Sequence, residues 1–164
     1  MKTTVSEVRG DATEPVLTEI AASKKTGSTV EMQTGSMAPH VLVVEDDPVI
    51  LELLQDVLSG AGFKVLVAKT AVDGLALFQQ YSDSTFCVIL DYGIPGMHAA
   101  RLFERLTDLD PEVKVILSSG YPQHFIVEDF PMEKIAGFMV KPYDPQILIS
   151  ELERLSPGKT PRQS

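Results

Sequence analysis

Val41-Leu42-Val43-Val44-Glu45-Asp46-Asp47-Pro48 sets four consecutive apolar residues directly before three carboxylates and a proline. A short, wholly apolar run reads as a strand buried on both faces, and an acidic cap followed by proline is how a helix begins. Four more such runs follow: Val65-Leu66-Val67-Ala68, Cys87-Val88-Ile89-Leu90, Val113-Lys114-Val115-Ile116-Leu117 and Ala136-Gly137-Phe138-Met139-Val140. Around them the period turns helical, with Val49/Leu53/Val57 beside Ile50/Leu54/Leu58, then Ala71/Leu75/Phe78, Leu102/Phe103/Leu106 and Leu148/Leu152/Leu155. Gln123–Lys134 is the weakest of the set: Pro122 and Pro131 bracket it and Phe125, Ile126, Val127 and Phe130 make a poor stripe, so a short or mobile helix is expected there.

Strict alternation of strand and helix predicts an α/β fold with a parallel sheet and helices on both faces, because crossovers between parallel strands are right-handed. Five strands favour a flavodoxin-like (βα)5 doubly wound sheet in the order 2-1-3-4-5.

The 164 residues suit one domain, bounded here at residues 40–155. All eleven aromatic residues lie between Phe63 and Tyr143, so residues 1–39 lack the bulk that would offset their ordering entropy and read as a mobile tail or linker. Within it, Thr13-Glu14-Pro15 and the closing Lys24-Lys25-Thr26-Gly27 punctuate a short helix over 14–25. Residues 156–164 form a short polar tail.

Eighteen acidic and eight basic residues put −10 on residues 40–155, against −9 for the whole chain, so the acidity belongs to the folded part. That charge argues against nucleic acid, whose phosphates need a cationic face, and favours cations and basic protein surfaces. A single cysteine, Cys87, excludes an internal disulfide and, inside a strand, reads as buried and inert. With no signal peptide and no apolar run near the roughly 20 residues that span a bilayer, the expected location is the cytoplasm, off the membrane.

In open parallel sheets ligands bind beyond the carboxyl ends of the strands. There the chain carries Glu45-Asp46-Asp47, Asp91, Ser118-Ser119-Gly120 and Lys141-Pro142. Asp47 and Pro48 are accounted for as a helix cap, which leaves Glu45 and Asp46 without a partner. Converging carboxylates repel unless a cation joins them, and an all-oxygen set suits magnesium, or manganese. The direct ligands expected are Asp46, Asp91 and the Gly93 carbonyl, with Glu45 acting through water. A carboxylate beside a dication and a lysine can attack a phosphoryl group, because both cations neutralise charge on its oxygens. Asp91 is the candidate nucleophile, with Lys141 and Ser119 contacting the phosphoryl oxygens. Lys141 before Pro142 also permits a cis peptide.

Val43-Val44-Glu45-Asp46-Asp47-Pro48, Asp91-Tyr92-Gly93-Ile94-Pro95-Gly96-Met97, Ser118-Ser119-Gly120-Tyr121-Pro122 and Lys141-Pro142-Tyr143 together resemble the receiver (CheY-like) domain of bacterial two-component response regulators. The resemblance covers residues 40–155. It implies that Asp91 is phosphorylated by a histidine kinase or phosphotransfer protein, that Glu45 and Asp46 are the acidic pair, and that Ser119 and Lys141 sense the phosphate. It also implies a switch in which Ser119 and Phe138 move, remodelling the surface of the fourth helix, fifth strand and fifth helix for a downstream protein target. Two departures stand directly after the Asp91–Met97 motif: Ala99 replaces a common Gly, and His98 a frequent Asp. The Ser119-Gly120-Tyr121-Pro122 and Lys141-Pro142-Tyr143-Asp144-Pro145 wording also resembles receivers attached to hybrid sensor kinases.

Two other functions compete. A pseudo-receiver would bind a protein partner through the same face without being phosphorylated. An aspartate-nucleophile phosphatase would need a second Asp two residues after the nucleophile, where this chain has Gly93, so it would lack its general acid. The expectation is therefore a phosphoacceptor with its own self-phosphorylation and dephosphorylation chemistry, not a turnover enzyme, and with no separate output domain in this chain.

Overall fold

The computed structural model describes residues 38–156. The expected tail with its helix over 14–25, and the polar end from residue 157, lie outside the described residues. Five parallel strands, β1 (His40–Val44), β2 (Lys64–Ala68), β3 (Thr85–Asp91), β4 (Lys114–Ser119) and β5 (Gly137–Val140), form one sheet in the order β2-β1-β3-β4-β5. Four α-helices connect or follow them: α1 (Pro48–Gly60), α2 (Ala71–Tyr81), α3 (Ala99–Leu109) and α4 (Pro145–Leu155).

The two-residue period of the strands divides the core in two. Val41, Val43, Cys87, Ile89, Ile116 and Met139 meet Leu51, Leu54 and Leu58 of α1 and Leu148 and Leu152 of α4. Leu42, Val44, Val88, Leu90, Val115 and Leu117 meet Phe78 of α2 and Leu102, Phe103 and Leu106 of α3 on the opposite face. α2 lies close against β1, since a Cβ on Gly74 would come 2.9 Å from Val44 Cγ2.

Two expectations need correction. Burial on both faces holds for β1, β3 and β4, but β2 and β5 are the edges of the sheet, and Val67 and Val140 are exposed. The segment from Gln123 to Lys134 holds no α-helix; it forms two single 3-10 turns, Gln123–Phe125 and Met132–Lys134, so the expected fifth helix is α4 here. Pro122 and Pro131 stand immediately before the two turns, each lacking an N–H. In place of a helical stripe, Ile126 and Phe130 are buried in the core and Met132 packs partly against it.

Helix starts follow the sequence signals. Asp47 accepts from the Val49 and Ile50 N–H groups at 2.8 and 3.3 Å with Pro48 in the first turn, and Asp144 accepts from Gln146 N–H at 2.8 Å before Pro145. The Lys141–Pro142 peptide is cis, the isomer that a proline at 142 permits.

Candidate functional site

Alternation continues past the ends of the strands and decides which polar groups converge. Glu45 still extends the sheet, its N–H donating to the Ala68 carbonyl at 3.0 Å, and it falls on the side of Val41 and Val43, the α1 side. Asp91 closes β3 in step with Cys87 and Ile89 on the same side. Lys141 follows β5, its N–H donating to the Ser119 carbonyl at 2.7 Å. The three side chains meet: Lys141 Nζ donates to Glu45 Oε2 at 2.6 Å and to Asp91 Oδ1 at 3.0 Å.

Both carboxylates are nearly enclosed, Glu45 at 3% and Asp91 at 7% exposure, so their charges are weakly screened. Burial is the largest influence on Glu45 and pushes its pKa up; the Lys141 hydrogen bond opposes this and the Asp91 charge adds to it. For Lys141, burial alone would lower the pKa, but its bonds to Glu45 and Asp91 outweigh it and hold the ammonium above its ordinary value. The expectation that Glu45 lacks a protein partner is thus corrected: it carries the shorter of the two lysine contacts and also accepts from Asp47 N–H at 3.3 Å.

One ammonium neutralises one of three negative charges. Carboxylate oxygens of Glu45, Asp46 and Asp91 all lie within 4.8 Å of one another, with Asp46 on the exposed side. Three hard oxygen donors at that spacing fit a magnesium- or manganese-class ion. Gly93 sits in the exposed turn after β3, where a Cβ would come 3.3 Å from Asp91 Oδ2, so its missing side chain keeps that oxygen approachable.

Ser119 is buried at the end of β4, and its hydroxyl accepts from Tyr121 N–H at 2.9 Å. By alternation it faces away from Asp91, whereas Ser118, paired with Asp91 in the sheet, shares its side. Phe138 is half-buried, paired with Leu117 and packed on the α2–α3 side of the core. His98 caps α3, its Nδ1 accepting from Ala100 N–H at 3.3 Å.

Two hydroxyls escaped the sequence analysis. Ser118 Oγ and Tyr143 Oη are both buried beneath the site, and among the described residues neither finds a partner in full hydrogen-bond geometry. Burial pushes the Tyr143 pKa up, and Ser118 is close enough to pull it partly back. Alternation from Asp91 through the paired strand was the signal that could have found Ser118. Tyr92 is the third omission; it follows Asp91 directly, and its hydroxyl donates to Asp129 Oδ2 at 2.6 Å.

A family model described as the response regulator receiver domain matches residues 41–153. The chain is 26% identical over 121 residues to the chemotaxis protein CheY of Thermotoga maritima, covering 73% of this chain and 99% of that protein. It is 33% identical over 130 residues to the transcriptional regulatory protein AruR of Pseudomonas aeruginosa, covering 73% of this chain but only 50% of AruR. Among solved structures, a CheY-like receiver domain protein from Methanospirillum hungatei superposes with a TM-score of 0.65 at 27% identity, covering 73% of this chain and 94% of that one. Among the described residues, no helix is long and apolar enough to cross a membrane.

Proposed function

Because the chain belongs to the response regulator receiver domain family of two-component signalling, we propose that Asp91 accepts a phosphoryl group from the phosphohistidine of a histidine kinase or phosphotransfer protein. The observation that carries this is the convergence of Asp91, Glu45 and Lys141, with Lys141 Nζ 3.0 Å from Asp91 Oδ1 and the oxygen of Asp46 close by. An Asp91 oxygen attacks phosphorus, a P–O bond forms, the P–N bond breaks, and its electron pair leaves with the imidazole. Lys141, held protonated by its two carboxylate partners, stabilises the charge gathering on the phosphoryl oxygens.

Glu45, Asp46, Asp91 and the Gly93 carbonyl would hold a magnesium or manganese ion, which when bound offsets the repulsion between the carboxylates and an incoming phosphoryl group. Glu45 orients Lys141 by the 2.6 Å bond, and Ser119 turns from Tyr121 to donate to the new phosphate. That turn, with a rearrangement of Phe138, remodels the face of β5, α4 and residues 122–136 for a downstream protein. The chain acts as a cytoplasmic phosphoacceptor with its own self-phosphorylation and dephosphorylation chemistry, and not as a turnover enzyme.

The test is intact mass after incubation with magnesium and acetyl phosphate. One phosphoryl adduct is expected, absent in Asp91→Asn and prevented by a chelator. A wild-type chain that gains no mass while a known receiver does would make this a pseudo-receiver, an interaction module that is never phosphorylated.

A further inference from the structure

Residues 122–136 depart most from the expected fold, and a side-chain contact ties them back to the residue next to Asp91. Tyr92 Oη donates to Asp129 Oδ2 at 2.6 Å across 37 positions of sequence. The backbone of Tyr92 is fixed to β4, its N–H donating to the Ser118 carbonyl at 2.8 Å. Its ring stands edge-on to His98 and to Tyr121, with centroids 5.7 and 6.5 Å away, and tilted against Phe130 at 6.3 Å. Phe130 in turn meets Phe103 of α3 at 5.8 Å. The phenol therefore sits where the Asp91 turn, the Ser119–Tyr121 turn and the β4–β5 segment meet.

Residues 131–136 are tied down by Met132 and Ile135, which pack against the core, and by Ala136 N–H donating to the Val115 carbonyl at 2.8 Å, whereas residues 122–130 are held more lightly. The two 3-10 turns are one turn each, and of residues 122–130 only Ile126 and Phe130 are buried. A regular helix would fix its own backbone; this one relies on anchors. Ser119 is the link to chemistry, because its hydroxyl now accepts from Tyr121 N–H at 2.9 Å and must rotate to reach a group on Asp91. Rotation strips Tyr121 of that acceptor, and the Tyr121 ring borders Tyr92.

We propose that the Tyr92–Asp129 hydrogen bond is a latch that holds residues 122–136 down until Asp91 is phosphorylated, with Tyr92 as the positioning residue that passes the event on. The inference rests on Asp91 being the phosphoacceptor. When Ser119 swings to the phosphoryl group, Tyr121 loosens, Tyr92 shifts with its neighbours, and Asp129 is released. The segment then becomes available to a partner as a flexible element rather than as the face of a helix.

Amide hydrogen exchange on the full chain, read on peptides covering 122–136 with intact mass in parallel, tests this. Tyr92→Phe keeps the ring contacts and removes only the donor; Asp129→Ala removes the acceptor; Asp129→Asn keeps one. Without phosphodonor, Tyr92→Phe and Asp129→Ala should exchange about three- to ten-fold faster in this segment, and Asp129→Asn close to wild type. Acetyl phosphate with magnesium should raise the same amides in wild type and change them little in Tyr92→Phe. The latch is wrong if the two deletions exchange like wild type, or if a wild-type chain carrying the adduct shows unchanged exchange there. A chain that gains no adduct would instead remove the phosphoacceptor reading, and the latch's trigger with it.

Discussion

Lys141 lies closer to Glu45 than to Asp91, 2.6 Å against 3.0 Å, so the lysine is anchored chiefly on Glu45. This explains how an ammonium can be kept charged in a partly buried site yet stay within reach of Asp91 Oδ1. Removing it should be felt twice. In Lys141→Met, Glu45 and Asp91 face each other with no protein cation, and we expect a stability loss of about 1–3 kcal/mol by urea denaturation without divalent ion. Adduct formation from acetyl phosphate should fall by about tenfold or more, since about 1.4 kcal/mol of lost transition-state stabilisation already gives a factor of ten. Unchanged adduct formation would remove Lys141 from the chemistry.

Asp46 and Asp47 are adjacent carboxylates with separable tasks. Asp47 accepts from Val49 and Ile50 N–H groups, while an oxygen of Asp46 joins those of Glu45 and Asp91. Asp47→Ala should cost about 1 kcal/mol of stability through loss of the cap and leave magnesium affinity nearly intact. Asp46→Asn should do the reverse, weakening magnesium binding several-fold with little effect on the urea midpoint in chelator. Titration calorimetry on both variants decides it, and equal magnesium affinity in wild type and Asp46→Asn would defeat the ligand assignment.

The sequence made the central strands and the acidic end of the sheet legible because both depend on short-range patterns. Val41–Val44 and Cys87–Leu90 are apolar for their whole length because they lie inside the sheet. Asp91 and Lys141 were recognisable because each follows such a run. What could not be read depends on distant pairings. Val67 and Val140 look like core residues until the strand order leaves them on edge strands. The Glu45–Lys141 bond spans 96 positions, and Tyr92–Asp129 spans 37, with no local period to announce either. The two turns of residues 123–134 lay between: the prolines signalled an irregular segment, but which of its apolar residues are buried, Ile126 and Phe130, follows no helical period.

Gly74 fixes how closely α2 approaches β1. A Cβ there would lie 2.9 Å from Val44 Cγ2 and 3.2 Å from Cγ1, and Val44 is β-branched, buried and unable to rotate away cheaply. Gly74→Ala should therefore destabilise by about 1–3 kcal/mol despite the better helix propensity of alanine. Val44→Ala opens the space, so the double variant should be more stable than the sum of the single losses implies. Denaturation of the four chains forms the cycle; strict additivity would contradict the contact.

Cys87 tests the burial of the strand that carries Asp91. Burial in β3 pushes its thiol pKa from 9.0 up to about 12, against the opposing influence of the Ile116 backbone, Lys114 and the Val88 backbone. The folded chain thus keeps the proton where the unfolded chain releases it. The thiol's contribution to stability is complete below the unfolded pKa near 9 and is lost as pH rises toward 12, by at most about 1.4 kcal/mol per unit. Tyr92, pushed up chiefly by its bond to Asp129, and Tyr143, pushed up by burial, act in the same alkaline direction, so the contribution of Cys87 must be isolated by substitution. Cys87→Val replaces the thiol with an apolar side chain suited to a strand. Its urea midpoint should decline less between pH 9 and 11 than that of wild type, while labelling of wild-type Cys87 by a thiol reagent should require opening of the sheet and speed up with added urea. Parallel pH profiles together with fast labelling in the absence of urea would mean that β3 is not sealed between the two helical layers.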